Sequence, residues 1–495
     1  MRLHRNEDMR IAIIHYHLRG GGVTRVVHHI LSALREGGHR AVVVTGEAPV
    51  DPEFPTNNVV VIPALGYHVA GRQTNMTGLV TDLTQIVEQH LGGPPHVWHI
   101  HNHALGKNIE LPLLTQRLAG AGVPILLQMH DFVEDGRPDN YRFLNDRLGG
   151  EKELSTHLYP SGRRVHYATL NQRDHGFLVR AGLDPGRCHL LPNAVHLVAN
   201  ERIPENDDTG AKRGRLFLYP TRAIRRKNLG EFILWAALAR RGDRFAVTLA
   251  PQNPKAKPVY NKWIDVARSR NLPVEFAVGK TSGLSFPALL KQAHAVVTTS
   301  VAEGFGLAFL EPWLVQRPLL GRNLAEITRE FTAKGVDLDA LYDQLLIPLE
   351  WVGKEKLCEN IRNAYQDVRE SYGRASTPNL LQWAADAAIQ DDSVDYGRLD
   401  EKTQEKVLDI LVYSRTARKE LSPRQLAVKA ASREVCAQNW KNVLRAYSLD
   451  EYKAKLLRTY VDVAGDSAAP PDCLDGQELL TQFLAPRRFY LLRAH

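Results

Sequence analysis

Short apolar runs alternate with amphipathic segments along most of the chain, and this rhythm predicts its architecture. Residues 10–16 (Arg-Ile-Ala-Ile-Ile-His-Tyr) form a solid apolar run that predicts a first buried strand. Gly20-Gly21-Gly22 follows, and residues 23–34 then carry apolar side chains at helical spacing. Further strands are predicted at 41–45, 59–62, 97–101 and 124–130, with helices at 79–91 and 111–121. Strands that are apolar throughout have both faces covered, so the pattern predicts a parallel, doubly wound α/β sheet.

The pattern then restarts. A polar stretch at 200–208 precedes a new first strand at 216–219, a helix at 229–239, a strand at 245–249, a helix at 262–269 and strands at 274–277 and 293–299. A linker near 197–214 therefore joins two α/β domains. Strands are not expected beyond about 389, and 399–464 reads as helical, with Trp440, Val443, Leu444, Tyr447, Tyr452, Leu456, Leu457 and Tyr460 at helical spacing. Such a stripe is a packing surface. The expected domains are 9–198, 199–430 and a C-terminal segment, 431–495.

At 495 residues, with 44% hydrophobic and 24% charged positions, the composition is that of a soluble globular protein of two or three domains. No apolar run reaches the roughly 18 residues of a transmembrane helix. The polar, mixed-charge start (1–9) lacks the apolar core of a signal peptide. Cys188, Cys358, Cys436 and Cys473 show no paired spacing, which suits reduced thiols and a cytoplasmic location. The net charge of +8 permits peripheral contact with an anionic membrane surface, although no stretch has a basic amphipathic face. No nucleic-acid-binding motif is present, so nucleic acid is not an expected partner.

One segment carries the most chemistry. In 300–312 (Ser-Val-Ala-Glu-Gly-Phe-Gly-Leu-Ala-Phe-Leu-Glu-Pro), a strand runs into a glycine-flanked turn and then an expected helix with Leu307, Leu310 and Leu314 on one face. Glu303 sits on the turn and Glu311 early in the helix. Backbone N–H groups of the turn (Gly304, Phe305, Gly306 and Leu307) suit an anionic group, and the carboxylates accept hydrogen bonds from hydroxyls. A tight structural turn with a favourable charge at a helix start would look similar.

In open parallel sheets, ligands bind beyond the carboxyl ends of the strands. Those positions hold Gly20, Gly21 and Gly22 after the first strand and His130-Asp131 after the fifth. In the second domain they hold Arg222 and Lys227, a guanidinium fork and a point charge suited to a diphosphate. A basic helix cap and a satisfied structural histidine are the plainer alternatives. His99, His101 and His103 alternate along one strand, but no Cys or Glu of suitable spacing completes a metal site, and none is expected.

Taken together and in this order, the Gly20–Gly22 loop, His130-Asp131, Pro192-Asn193, Arg222 with Lys227, and Glu303 with Glu311 resemble the retaining nucleotide-sugar glycosyltransferases of family 4. The resemblance covers roughly 10–330. It implies the GT-B fold: two Rossmann-like doubly wound domains facing a central cleft, with a helical C-terminal region packing back on the first. It implies that Arg222 and Lys227 hold a donor diphosphate, that Glu303 and the amides of 304–307 hold the donor sugar, and that Glu311 holds the ribose. His130 would touch the sugar near the reacting carbon. Gly21 and Gly22 would approach phosphate, while Tyr16, Gly20, His101 and Asp131 lie on the acceptor side. Arg222, Lys227, His130 and Glu303 are the expected catalytic group.

The chain departs from the family at Ala194, Arg317 and Asn323-Leu324, where glycine or small residues are usual. The expected activity is retaining transfer of a hexose from a nucleoside-diphosphate sugar, UDP-glucose first and GDP-mannose next, to a small-molecule, glycan or lipid hydroxyl without a cofactor. A sugar-nucleotide epimerase or hydrolase, or a non-catalytic sugar-nucleotide-binding protein, are the alternatives. NAD-dependent oxidation is disfavoured because no G-x-G-x-x-G with a following acidic residue is present.

Overall fold

The computed structural model describes residues 8–51, 54–71, 74–162, 164–197, 214–421, 431–467 and 472–494. Of the linker read near 197–214, residues 198–213 lie outside them. The chain divides into two compact units, Met1–Ala194 with Tyr447–Leu484, and Val195–Ala446 with Ala485–His495.

In the first unit β1 (Arg10–His15), β2 (Arg40–Thr45), β3 (Val59–Val61), β4 (Val97–His101), β5 (Ile125–Met129), β6 (Val165–Thr169) and β7 (Cys188–Leu190) form one sheet in the order 3-2-1-4-5-6-7. Every pairing is parallel. The strand order reverses beside β1, which places a topological switch point at its carboxyl end. Helix α1 (Gly22–Glu36) follows β1 and buries Val26, Val27, Ile30, Leu31 and Leu34 on the sheet. Residues 165–169 and 188–190 did not stand out in the pattern. β6 is interrupted by polar His166 and Thr169, and β7 is only three residues long.

In the second unit β8 (Leu216–Arg222), β9 (Arg244–Leu249), β10 (Val274–Phe276), β11 (Ala295–Thr298), β12 (Leu319–Arg322) and β13 (Leu341–Tyr342) form a parallel sheet in the order 10-9-8-11-12-13. Gly321 is fixed by contact: its φ is +111°, and a Cβ there would lie 2.1 Å from the carbonyl oxygen of Thr298 on the neighbouring strand. Helix α2 (Leu229–Ala237) is buried along its whole length, so its apolar residues show no amphipathic stripe.

Four expectations change. The helix anticipated straight after the glycine-flanked turn is a 3-10 turn (Leu307–Phe309) followed by a single α-turn, Glu311–Leu314. Pro312 suits the first turn of a helix, and the Cβ of another residue at Gly306, where φ is +88°, would press on Phe309 and Ile327. Strands do persist past 389: Ile389–Gln390 and Ser393–Asp395 make a small antiparallel sheet with Leu346–Pro348, and Asp472–Cys473 pairs with Pro160–Ser161. These were hidden because two- and three-residue strands leave almost no periodicity. The end of the stretch read as helical is two helices, α3 (Arg433–Tyr447) and α4 (Leu449–Gly465), separated at Ser448, whose hydroxyl caps the second by accepting from the Glu451 N–H.

The segment 431–495 is also shared between the units rather than standing alone. Helix α4 packs on the first unit through Tyr452, Leu456, Tyr460 and Val463. The last residues belong to the second, where buried Leu491 joins the core and Arg488 pairs with Glu326.

Candidate active site

In the second unit two loops leave adjacent strand ends, and side chains tie them together. Tyr219 on β8 donates its hydroxyl to the Lys227 carbonyl (2.8 Å) and lies 2.8 Å from Ser300 Oγ. Thr299 donates to the carbonyls of Lys227 (3.1 Å) and Asn228 (3.0 Å), and the Val301 N–H donates to the Arg226 carbonyl (2.9 Å). Cross-linked in this way, the loops bring the Lys227 ammonium against the Glu303 carboxylate as a buried ion pair. Burial pushes the Lys227 pKa down while Glu303 opposes it. For Glu303, burial pushes upward, but the charges of Lys227 and Arg226 and hydrogen bonds from Lys227 and Ser300 outweigh it, so the carboxyl sits below its ordinary value. Buried Glu311 acts on Lys227 from the same side.

The remaining expected donor residues differ in how far they are engaged. Arg222, the last residue of β8, is exposed, and its guanidinium has no partner among the described residues. Gly304 and Leu307 are half-buried, whereas Phe305 is buried edge-to-face on Phe331 with ring centroids 5.7 Å apart. Of the remaining basic residues in the cluster, Arg225 is committed to Glu401 through two hydrogen bonds (2.6 and 2.9 Å). Arg226 belongs to the run of basic residues 222–227 but was given no site role from the sequence, yet its Nε is buried without a hydrogen bond and its charge acts on Glu303. Its place between Arg222 and Lys227 was the available signal.

Behind this site lies a buried ionic network. Arg322 at the end of β12 reaches Glu231 (2.6 Å) and Asp395 (2.7 Å), and all three are at most 2% exposed. Glu231 also accepts from Tyr342 (2.6 Å) and from Asn228 Nδ2 (2.7 Å), while Gln404 donates to Asn228 Oδ1 (2.9 Å). Asn228 adopts a left-handed conformation (φ 50°) immediately after Lys227, so the network holds the residue that ends the Lys227 loop.

At the strand ends of the first unit the chemistry is different. His130 Nε2 lies 2.9 Å from His101 Nδ1 with the rings stacked, and His15 Nδ1 is 3.4 Å from the His101 carbonyl. Burial lowers the pKa of His130 to about 4 and of His15 to about 3, and holds His101 well below its ordinary value, so these rings are neutral. Asn102, overlooked in the sequence, has φ 54° and accepts from the His130 and Asp131 N–H groups (2.8 and 3.1 Å), which sets the turn after β5. Asp131 is held by Arg137 at 2.7 Å.

Two of the acceptor-side residues lie inside the unit. Tyr16 is buried with its hydroxyl donating to the His103 carbonyl (3.0 Å), and His101 is buried behind His130. Gly20, Gly21 and Gly22 are exposed. The His99 and His101 rings lie 4.2 Å apart, but His99 bonds Tyr460 (2.8 Å) and His103 bonds the Leu158 carbonyl (2.7 Å). Among the described residues no group of three or more His, Cys, Asp or Glu is placed to hold a metal ion. No helix of the described residues is long and apolar enough to cross a membrane.

The Glycosyl transferase 4-like domain model matches residues 21–194. A mannosylglucosyl-3-phosphoglycerate synthase of Petrotoga mobilis is 26% identical over 421 residues, covering 80% of this chain and 79% of that protein. Residues 21–194 are a glycosyl transferase 4-like domain, and the chain is a glycosyltransferase. Solved structures agree on the fold of this glycosyltransferase. A sucrose-phosphate synthase from Thermosynechococcus elongatus superposes with a TM-score of 0.51 at 14% identity, covering 91% of this chain and 98% of its own. A Rickettsia africae glycosyltransferase gives 0.51 at 12% identity, with 93% and 100% covered. Anabaena HepE in complex with UDP gives 0.51 at 13% identity, with 91% and 99% covered. The fold is GT-B, and the glycosyltransferase's two parallel sheets are its Rossmann-like domains.

Proposed function

We propose that this glycosyltransferase moves a hexose from a nucleoside-diphosphate sugar to the hydroxyl of a small anionic acceptor, with retention at the anomeric carbon. The observation that carries the donor reading is the buried Lys227–Glu303 pair, with Glu311 in electrostatic reach and partner-free Arg222 on the same strand end. Arg222 and Lys227 take the diphosphate and stabilise the charge that develops as it leaves, a preorganised contribution of roughly 3–4 kcal/mol per donor. Glu303 and the amides of 304–307 orient the sugar, and Glu311 takes the ribose hydroxyls. His130, neutral and anchored through Nε2, offers Nδ1 to a sugar hydroxyl. The acceptor oxygen bonds to the anomeric carbon as the bond to the diphosphate breaks, and the acceptor proton passes to the departing phosphate on the same face.

The reading needs no cofactor. The Petrotoga relative is named for a mannosylglucosyl phosphoglycerate, which supports an anionic acceptor and puts mannosyl and glucosyl donors first. Free cysteines among the described residues support a cytoplasmic setting. The test is nucleotide release from GDP-mannose and UDP-glucose over neutral and phosphorylated glycosides, with product configuration read by proton NMR. Retained configuration is expected. An inverted product overturns retention, and failure of every nucleoside diphosphate to raise the melting temperature overturns the donor site.

A further inference from the structure

Three cations crowd one aromatic ring in the first unit. Tyr67 follows β3 and is half-buried, with its hydroxyl 2.9 Å from His17 Nε2. The Arg19 guanidinium lies 5.7 Å and the Lys107 ammonium 5.4 Å from the centre of its ring, and Arg137 acts electrostatically on both Tyr67 and Lys107. These residues come from loops beyond the carboxyl ends of β1, β3, β4 and β5, where ligands of such sheets bind.

The counter-charges do not match. Glu47 is engaged by Arg19 through two hydrogen bonds (2.7 and 2.8 Å), and Asp131 is held by Arg137 at 2.7 Å. Lys107 is half-buried, yet its ammonium has no hydrogen bond or ion pair among the described residues. A cation partly withdrawn from water beside a second cation is unfavourable until an anion arrives. Its backbone is fixed locally, because the Lys107 carbonyl accepts from the His68 N–H at 2.7 Å.

We infer that Lys107, flanked by Arg19 and Arg137 and seated on Tyr67, is the subsite for an anionic oxygen group of the acceptor, a phosphoryl or a carboxylate. A lysine is a point charge suited to either, and the two arginines, already neutralised by carboxylates, shape the rim without adding net charge. The inference rests on the proposed transfer to an anionic acceptor and assigns that selectivity to one residue.

The experiment titrates the full chain with inorganic phosphate, 3-phosphoglycerate and glycerate, by calorimetry at low salt, in wild type, Lys107→Gln and Lys107→Arg. UDP and GDP binding is measured on the same preparations. Wild type should bind at least one of the three probes, with phosphate against glycerate separating phosphoryl from carboxylate recognition. Lys107→Gln should weaken that binding at least about 10-fold, and Lys107→Arg should restore most of it. Nucleotide affinity should be unchanged, which also shows that the variants are folded. Equal anion affinity in Lys107→Gln, or no binding of any probe to wild type that binds a nucleotide, overturns the subsite. Loss of nucleotide binding in wild type itself would instead overturn the donor reading.

Discussion

The two units solve the same geometric problem with opposite electrostatics. Both place loops beyond the carboxyl ends of a parallel sheet. The first lines that region with stacked, buried histidines kept neutral by desolvation, and the second with a buried lysine–glutamate pair backed by an arginine and two acids. A neutral ring is a hydrogen-bonding surface whose cost of burial is small until it is asked to take a proton. A buried charge is costly unless its partners are in place, and it acts strongly on a phosphate once they are. The difference separates a surface suited to hydroxyls from one suited to a diphosphate.

The comparison breaks most sharply at the ion pair. Lys227→Ala or Glu303→Ala should lower kcat/KM by about 10²–10³-fold or more in a steady-state assay, as expected for loss of a preorganised charge. Near-normal turnover in either variant would remove the donor assignment. Next in size is the supporting network. Arg322→Ala strands two buried carboxylates and should destabilise the second unit by roughly 3–5 kcal/mol in urea unfolding, with hydrogen exchange in β4 and β5 of the first unit left unaltered.

Acid should act on the other unit first. His103 and His130 have folded pKa values near 4, against 6.5 for an exposed ring. Below about pH 6.5 the unfolded chain takes up protons that the folded one refuses, so stability falls as pH drops from 6.5 towards 4. The cost is about 3 kcal/mol per ring. Hydrogen exchange should therefore show β4 and β5 losing protection in that window before β8 and β11. Smallest in stability is Arg222→Ala: an exposed, partner-free side chain should change the melting free energy by less than about 0.5 kcal/mol. The same change should raise the donor KM by about 10-fold or more, as for loss of a hydrogen bond to a charged group. A large loss of stability without a KM effect would make Arg222 structural.

Much of this was legible in one dimension. The apolar strands at 10–16 and 216–219 were visible because strands covered on both faces carry no alternation to misread. Glu303, Glu311, Arg222 and Lys227 stood out because charged residues directly after such strands have no packing role to explain them. The small sheet formed by 346–348, 389–390 and 393–395 was not legible, since its pairing is supplied by partners distant in sequence. Nor was the place of Arg322, which looks like a surface arginine until Glu231 and Asp395 are brought around it.

The amino-acid order by itself determined two parallel sheets, the loops at their carboxyl ends and the residue types offered there, because those follow from local periodicity and glycine placement. Tertiary structure alone decided which charges are buried, which are paired and which remain without a partner. Lys227 and Lys107 are indistinguishable as letters. One is locked against Glu303 and the other rests on Tyr67 without an ion pair among the described residues, and only the packing of distant segments sets that difference in dielectric and partner.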